Sequence, residues 1–94
     1  MEIVTKSGFK CEVDDDVIDS WDMMEAIAQC EIEETAISGI VNMVTTTLGK
    51  RGVKALQKHL KKIHGKCDAK VLYNEFEEIL EQLKAGNSFS SQEQ

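Results

Sequence analysis

The sequence predicts a mostly helical α+β fold, in which an N-terminal β-hairpin is followed by about four short amphipathic helices. Apolar and polar residues alternate over residues 2–13, as they do in half-buried strands. From about residue 15 to residue 85, apolar residues recur at intervals of three and four, as they do in helices. The length of 94 residues fits one domain, which we assign to residues 1–86, followed by a flexible polar tail at 87–94.

The hairpin prediction rests on the loop KSG at residues 6–8. A three-residue hairpin loop of this kind places Gly8 in the left-handed backbone region. The loop pairs Ile3 with Cys11 and puts the apolar residues of both strands on one face. Because a lone two-stranded hairpin is marginal in water, we expect it to pack against helices.

Helix one is predicted over residues 15–30, with the aspartates at 14–16 capping its N-terminus. One apolar face should point into the core and a second apolar stripe lies beside it. The core face consists of Val17, Trp21, Met24 and Ala28. The second stripe consists of Met23, Ile27 and Cys30. A surface helix needs an apolar stripe of only about 100°, so the excess indicates a contact beyond the core.

Helix two is predicted over residues 35–49, which carry no charge and end at Gly49. Its β-branched run, VNMVTTTL, is also compatible with a strand. The 3.6-residue period of the apolar positions favours a helix. The apolar face consists of Ile37, Ile40, Val41, Val44 and Leu48, opposite small polar residues that would let another helix approach closely.

Helices three and four are predicted over residues 51–64 and 69–85, and Gly65 and Gly86 should end them. Asp68 should cap helix four. The inward residues of helix three are Val53, Leu56, Leu60 and Ile63. Those of helix four are Leu72, Phe76, Ile79, Leu80 and Leu83.

Charge is distributed unevenly along the chain. Residues 1–34 carry a net charge of −9, residues 35–70 carry +7, and residues 71–94 carry −4. One interpretation is that the basic segment packs near the acidic ones, and the other is that subunits meet through complementary patches. The basic patch on helix three consists of Lys50, Arg51, Lys54, Lys58, Lys61 and Lys62.

The sequence contains no strong catalytic or nucleotide-binding motif, and we predict no catalytic residues, no metal site and no cofactor. We therefore expect a protein-binding module and not an enzyme. No apolar run is long enough to span a bilayer, and no secretion signal opens the chain. A cytoplasmic location follows as the expectation, with Cys11, Cys30 and Cys67 as free thiols.

The two apolar helices suggest where a protein partner would bind. We predict that a self-association or client-binding surface is formed by Met23, Ile27, Cys30, Val41, Val44 and Leu48. Methionine adapts to irregular apolar partners, which suits such a surface.

The order of these elements resembles that of tail assembly chaperones from long-tailed bacteriophages and prophages. Residues 7–31, SGFKCEVDDDVIDSWDMMEAIAQCE, match the family's hairpin, its DSW-like turn and its acidic, Met-rich helix. An apolar helix ending in Leu-Gly, a basic helix and a Glu-rich helix follow in the family's order, so the resemblance covers residues 3–85. Helix two departs from the family, because Ser, Thr and Gly stand where Leu, Arg and Pro are commoner.

The resemblance implies a chaperone that binds the tape measure protein, a long apolar helical protein, and keeps it soluble until the tail tube forms around it. It further implies a short, non-frameshifted form of the chaperone, with a longer frameshifted form that would reach the tail tube protein. We expect homo-oligomers. The alternative is a small nucleic-acid-binding or regulatory protein that uses the basic helix at residues 50–66.

Overall fold

The computed structural model describes the backbone of residues 1–92 and the side chains of residues 1–86. Strands β1 (Glu2–Val4) and β2 (Lys10–Glu12) form an antiparallel hairpin in which Ile3 is paired with Cys11, as predicted. Gly8 has a φ of 95°, so the glycine in the loop does occupy the left-handed region. The hairpin is therefore built as its turn chemistry predicts.

Helix α1 (Trp21–Cys30) begins later than predicted. A short 3₁₀ helix at Val17–Asp19 precedes it, and the cap is Ser20 instead of the three aspartates. The Ser20 hydroxyl oxygen accepts a hydrogen bond from the Met23 backbone N–H at 3.1 Å. An extended backbone at Ser20, with ψ near 153°, separates the two helical segments.

Helix α2 (Ala36–His64) contains both predicted helices two and three. Residues 36–48 are helical, so the β-branched run does not form a strand. The backbone leaves helical geometry at Gly49, where φ is 75°, and this divides α2 into a first part (36–48) and a second part (50–64). The described residues thus contain three α-helices where about four were predicted. Gly65, with φ of 80°, ends α2.

Helix α3 (Ala69–Gln92) follows a four-residue connection at 65–68. An Asp68 carboxylate oxygen accepts from the Val71 backbone N–H at 3.0 Å, which confirms the predicted cap. The helix passes Gly86, where the sequence predicted its end, and so includes part of the predicted tail at 87–94. The rest of that tail, residues 93 and 94, lies outside the described residues.

The core consists of two adjoining apolar clusters. The first joins the hairpin to α2 and α3 through Ile3, Phe9, Val13, Val17, Leu56, Leu60, Ile79 and Leu83. The second joins α1 to the same two helices through Met23, Ala26, Met43, Val44 and Phe76. The inward faces predicted for α3 and the second part of α2 agree with this, except that Ile63 is 46% exposed.

The rotation of α1 about its axis is opposite to the prediction. Met23 is 2% exposed and lies in the core, whereas Trp21 is 70% exposed and Met24 56%. The reason lies at Gly39 of α2, where the absence of a side chain lets α1 approach closely. A Cβ atom on Gly39 would lie 2.6 Å from the Cys30 nitrogen and 2.8 Å from the Ala26 carbonyl oxygen. The Ala26 side of α1 therefore faces α2, and Met23 follows it inward.

Candidate interaction surfaces

An apolar groove lies between the two parts of α2 and the first turns of α3. It encloses about 240 Å³, which is below the range of roughly 300–1,000 Å³ for small-molecule pockets. A groove of this size fits a few apolar side chains of a protein partner. Its apolar walls are formed by Ile40, Val41, Val44, Val53, Leu72 and Tyr73.

Apolar side chains remain exposed at one edge of this groove. Val41 is 55% exposed and Ile40 36%, and Ile37, one helical turn before Val41, is 80% exposed. An apolar surface of this kind that is continuous with a groove marks a site of protein contact more often than scattered single residues do.

The opposite end of the groove is polar and charged. Cys67 and Asp68 line it, and Lys66 pairs with Asp68 at 3.4 Å. Burial raises the pKa of the Cys67 thiol, the negative charge of Asp68 adds to the rise, and the positive charge of Lys61 opposes it.

A second apolar surface, which we call the α1 face, consists of Trp21, Met24 and Ile27. These side chains are 70%, 56% and 42% exposed. Their spacing of three residues places them along one side of the helix, with Ile27 at the edge next to buried Met23. Acidic residues surround the α1 face and are exposed as well: Asp19, Asp22, Glu25 and Glu31.

The basic stripe lies along the second part of α2. All six of its side chains, those of Lys50, Arg51, Lys54, Lys58, Lys61 and Lys62, are exposed as predicted. The salt bridges Met1–Glu12 and Lys66–Asp68 do not involve any of these six side chains. Helix α1 of the acidic segment nevertheless packs against α2.

A cluster of polar side chains joins the hairpin loop to α2 and α3 by hydrogen bonds. The Ser7 hydroxyl donates to Glu75 Oε2 at 2.6 Å, and Thr5 donates to the same oxygen at 2.5 Å. His59 Nε2 lies 3.0 Å from Ser7 Oγ. Because Ser7 gives its single proton to Glu75, His59 donates to Ser7.

This cluster contains the residue types of a serine hydrolase site in a different arrangement. In such a site the carboxylate orients the histidine, and the histidine accepts the serine proton. Here Glu75 contacts the serine, and the hydrogen bonds of Ser7 run in the opposite direction. The Lys6 backbone N–H also donates to Glu78 at 2.8 Å, so the cluster as a whole fastens the loop to α3.

The cysteines are separate, half-buried thiols. Burial raises the pKa of Cys11, and the negative charge of Glu12 adds to this effect. Among the side chains that the structure describes, no group of three or more His, Cys, Asp or Glu could hold a metal ion. No helix in the described range is long and apolar enough to cross a membrane.

The structure divides the six residues of the predicted contact surface among three environments. Met23 and Val44 are core residues, which corrects their placement on an exposed surface. Cys30 and Leu48 are half-buried against the same cluster. Ile27 belongs to the α1 face, and Val41 lines the groove.

The sequence placed Ile27 and Val41 in a contact surface but did not predict the other main members of the two apolar surfaces. The sequence places Trp21 and Met24 in the core, and it does not predict that Leu72 and Tyr73 of α3 form a groove together with α2. A signal for the α1 face was present, since Gly39 and Ala26 are small residues on two successive helices and predict a close crossing there. The groove has no local signal, because its walls come from distant parts of the chain.

No protein-family model, curated protein or solved structure matches this chain.

Proposed function

We propose that this chain is a tail assembly chaperone of a long-tailed bacteriophage or prophage. In the cytoplasm of the bacterial host it would bind the tape measure protein and keep it soluble and competent for assembly of the tail tube. The observation that carries the proposal is the apolar groove with Ile37, Ile40 and Val41 exposed beside it. The resemblance of residues 3–85 to this family supplies the identity of the client.

The groove suits a client that is a long apolar helix. A helix binds in a groove through side chains at intervals of three and four residues. Weak contacts from many copies then add up along the client. The net charge of −6 per subunit would keep the coated client in solution.

Co-expression with the tape measure protein of the same phage or prophage tests the proposal. The quantity to measure is the tape measure protein that stays in the supernatant after high-speed centrifugation. The parent chain should keep it soluble. Val41→Asp should lower the soluble amount strongly, because an unpaired carboxylate in a dry contact costs more than the roughly 1.4 kcal/mol that corresponds to a tenfold loss of affinity at each contact.

Ser38→Asp is the matched control. Ser38 is exposed on the same part of α2 and does not line the groove, and its replacement by Asp adds the same charge. Both variants alone should melt close to the parent, since exposed substitutions usually change stability by less than about 0.5 kcal/mol. If Val41→Asp keeps the client as soluble as Ser38→Asp does, the groove is not the client site.

A second candidate function, nucleic-acid binding, is favoured by the exposure of all six residues of the basic stripe. Residues 50–66 contain no Phe, Tyr or Trp on which bases could stack. We expect no binding tighter than micromolar to mixed DNA or RNA at about 150 mM salt, measured by fluorescence anisotropy. Tighter binding with a steep salt dependence would favour this second function.

A further inference from the structure

Each copy of the chain presents two surfaces of opposite charge. The segment 1–34, which contains the α1 face, carries −9, and the segment 35–70, which contains the basic stripe, carries +7. Among the described residues, Asp22 and Glu25 beside the α1 face form no salt bridge with the basic stripe of their own chain. The α1 face and the basic stripe can therefore each attract the opposite charge on another molecule.

The α1 face combines exposed apolar side chains with negative charge, which suits a contact with another protein. Trp21 is 70% exposed and stands beside Met24 and Ile27, with the carboxylates of Asp22 and Glu25 next to it. Covering these three side chains removes apolar area from water, which is favourable in any association. The ring face of a tryptophan is also the strongest aromatic site for a cation.

The basic stripe has the properties that such a surface requires. Arg51, Lys58 and Lys62 follow at intervals of seven and four residues, so they share one side of the helix, and exposed Ala55 lies among them. Long basic side chains cover apolar neighbours with their methylene stems while their charged ends reach carboxylates. Trp21 can thus lie against the stems of these residues, with Asp22 and Glu25 near the nitrogens.

We infer that the α1 face of one copy docks on the basic stripe of a second copy, head to tail. Pairing α1 with α1 of another copy would bring like charges together, so the contact joins two different surfaces. Such a contact repeats from copy to copy and yields a ring or an open chain of subunits. The groove is formed by other residues and stays open in this arrangement.

The contact needs no client, so it is tested on the purified chain alone, and its failure leaves the proposed client site untouched. Sedimentation equilibrium should give a mass well above that of the 10.5 kDa monomer at about 50 mM NaCl. At about 500 mM NaCl, where charges are screened beyond a few ångströms, the mass should fall to that of the monomer. A monomer at low salt, or an oligomer whose mass ignores salt, would overturn the inference.

Two variants test which surfaces meet. The first, with a disabled α1 face, is Trp21→Ala, Asp22→Asn and Glu25→Gln. The second, with a disabled stripe, is Arg51→Gln, Lys58→Gln and Lys62→Gln. All six residues are exposed, and circular dichroism checks that both variants are folded.

Each variant alone should be monomeric at about 50 mM NaCl, because neither has both halves of the contact. When the two variants are mixed in equal amounts, each pair of chains contains one intact α1 face and one intact stripe. The mixture should therefore form a one-to-one dimer, twice the 10.5 kDa chain mass, and stop there. If either variant alone associates like the parent, or if the mixture stays monomeric, α1 and the stripe are not the docking partners.

Discussion

Gly39→Val is the substitution that tests most severely how α1 is held against α2. The nearest atoms to a new Cβ are backbone atoms, the Cys30 nitrogen at 2.6 Å and the Ala26 oxygen at 2.8 Å. Ordinary contact begins at 3.4 Å, so α1 as a whole would have to move by about 0.8 Å. Backbone cannot rotate aside as the end of a flexible side chain can.

Two effects of opposite sign decide the outcome. Valine forms helix better than glycine by a few tenths of a kcal/mol, which stabilises α2. Overpacking costs about 1–3 kcal/mol, and a backbone clash belongs at the upper end. The net loss should be about 2.5 kcal/mol, which lowers the melting temperature of a domain of this size by roughly 10–20 °C.

Ser38→Val is the matched control for thermal melting followed by circular dichroism. It introduces the same side chain at the neighbouring, exposed position, where serine and valine have similar helix propensities. It should melt within a few degrees of the parent. If Gly39→Val has the same melting temperature as Ser38→Val, α1 does not cross α2 at Gly39, and the assignment of the α1 face loses its basis.

Three further substitutions test the fold. Gly8→Val should cost roughly 1–2 kcal/mol in urea unfolding, because φ is 95° at this position, and an unchanged midpoint would contradict the loop. Met23→Ala should cost about 2–5 kcal/mol and Met24→Ala less than about 0.5 kcal/mol in the same assay, since Met23 is buried and Met24 exposed; equal losses would contradict the rotation of α1. Asp68→Ala tests the pH dependence of the cap. The hydrogen bond from the Val71 N–H is the main cause that lowers the pKa of Asp68 below 3.8. The ionised Asp68 therefore stabilises the fold above pH 3.8, and this stabilisation is lost as the pH falls through the lowered pKa. The melting temperatures of parent and Asp68→Ala should therefore converge in acid, and a constant difference would refute the cap.

Local features of this fold were predictable from the sequence. The register of the hairpin follows from the KSG loop, and the helix break and end follow from Gly49 and Gly65, which have positive φ. The buried face of α3 follows from the spacing of its apolar residues, with Phe76 and Ile79 among them. In each case the signal lies within a few residues of the structure it predicts.

The rotation of α1 was not predictable from its own periodicity. Apolar residues cover more than half of its circumference, so the pattern allows either Met23 or Met24 to face the core. The choice is made by a contact with α2, at Gly39, outside the helix itself. The groove depends likewise on the packing of Leu72 in α3 against α2, which a one-dimensional pattern does not contain.

Aggregation of the purified tape measure protein, followed by light scattering after dilution from denaturant, tests the proposed function most directly. In this two-component assay the parent chain in molar excess should suppress the scattering, and client and chaperone should elute together on a sizing column. Val41→Asp should suppress it far less than Ser38→Asp. Scattering that rises equally fast with and without the parent chain would contradict the proposal that this protein is a chaperone for that client.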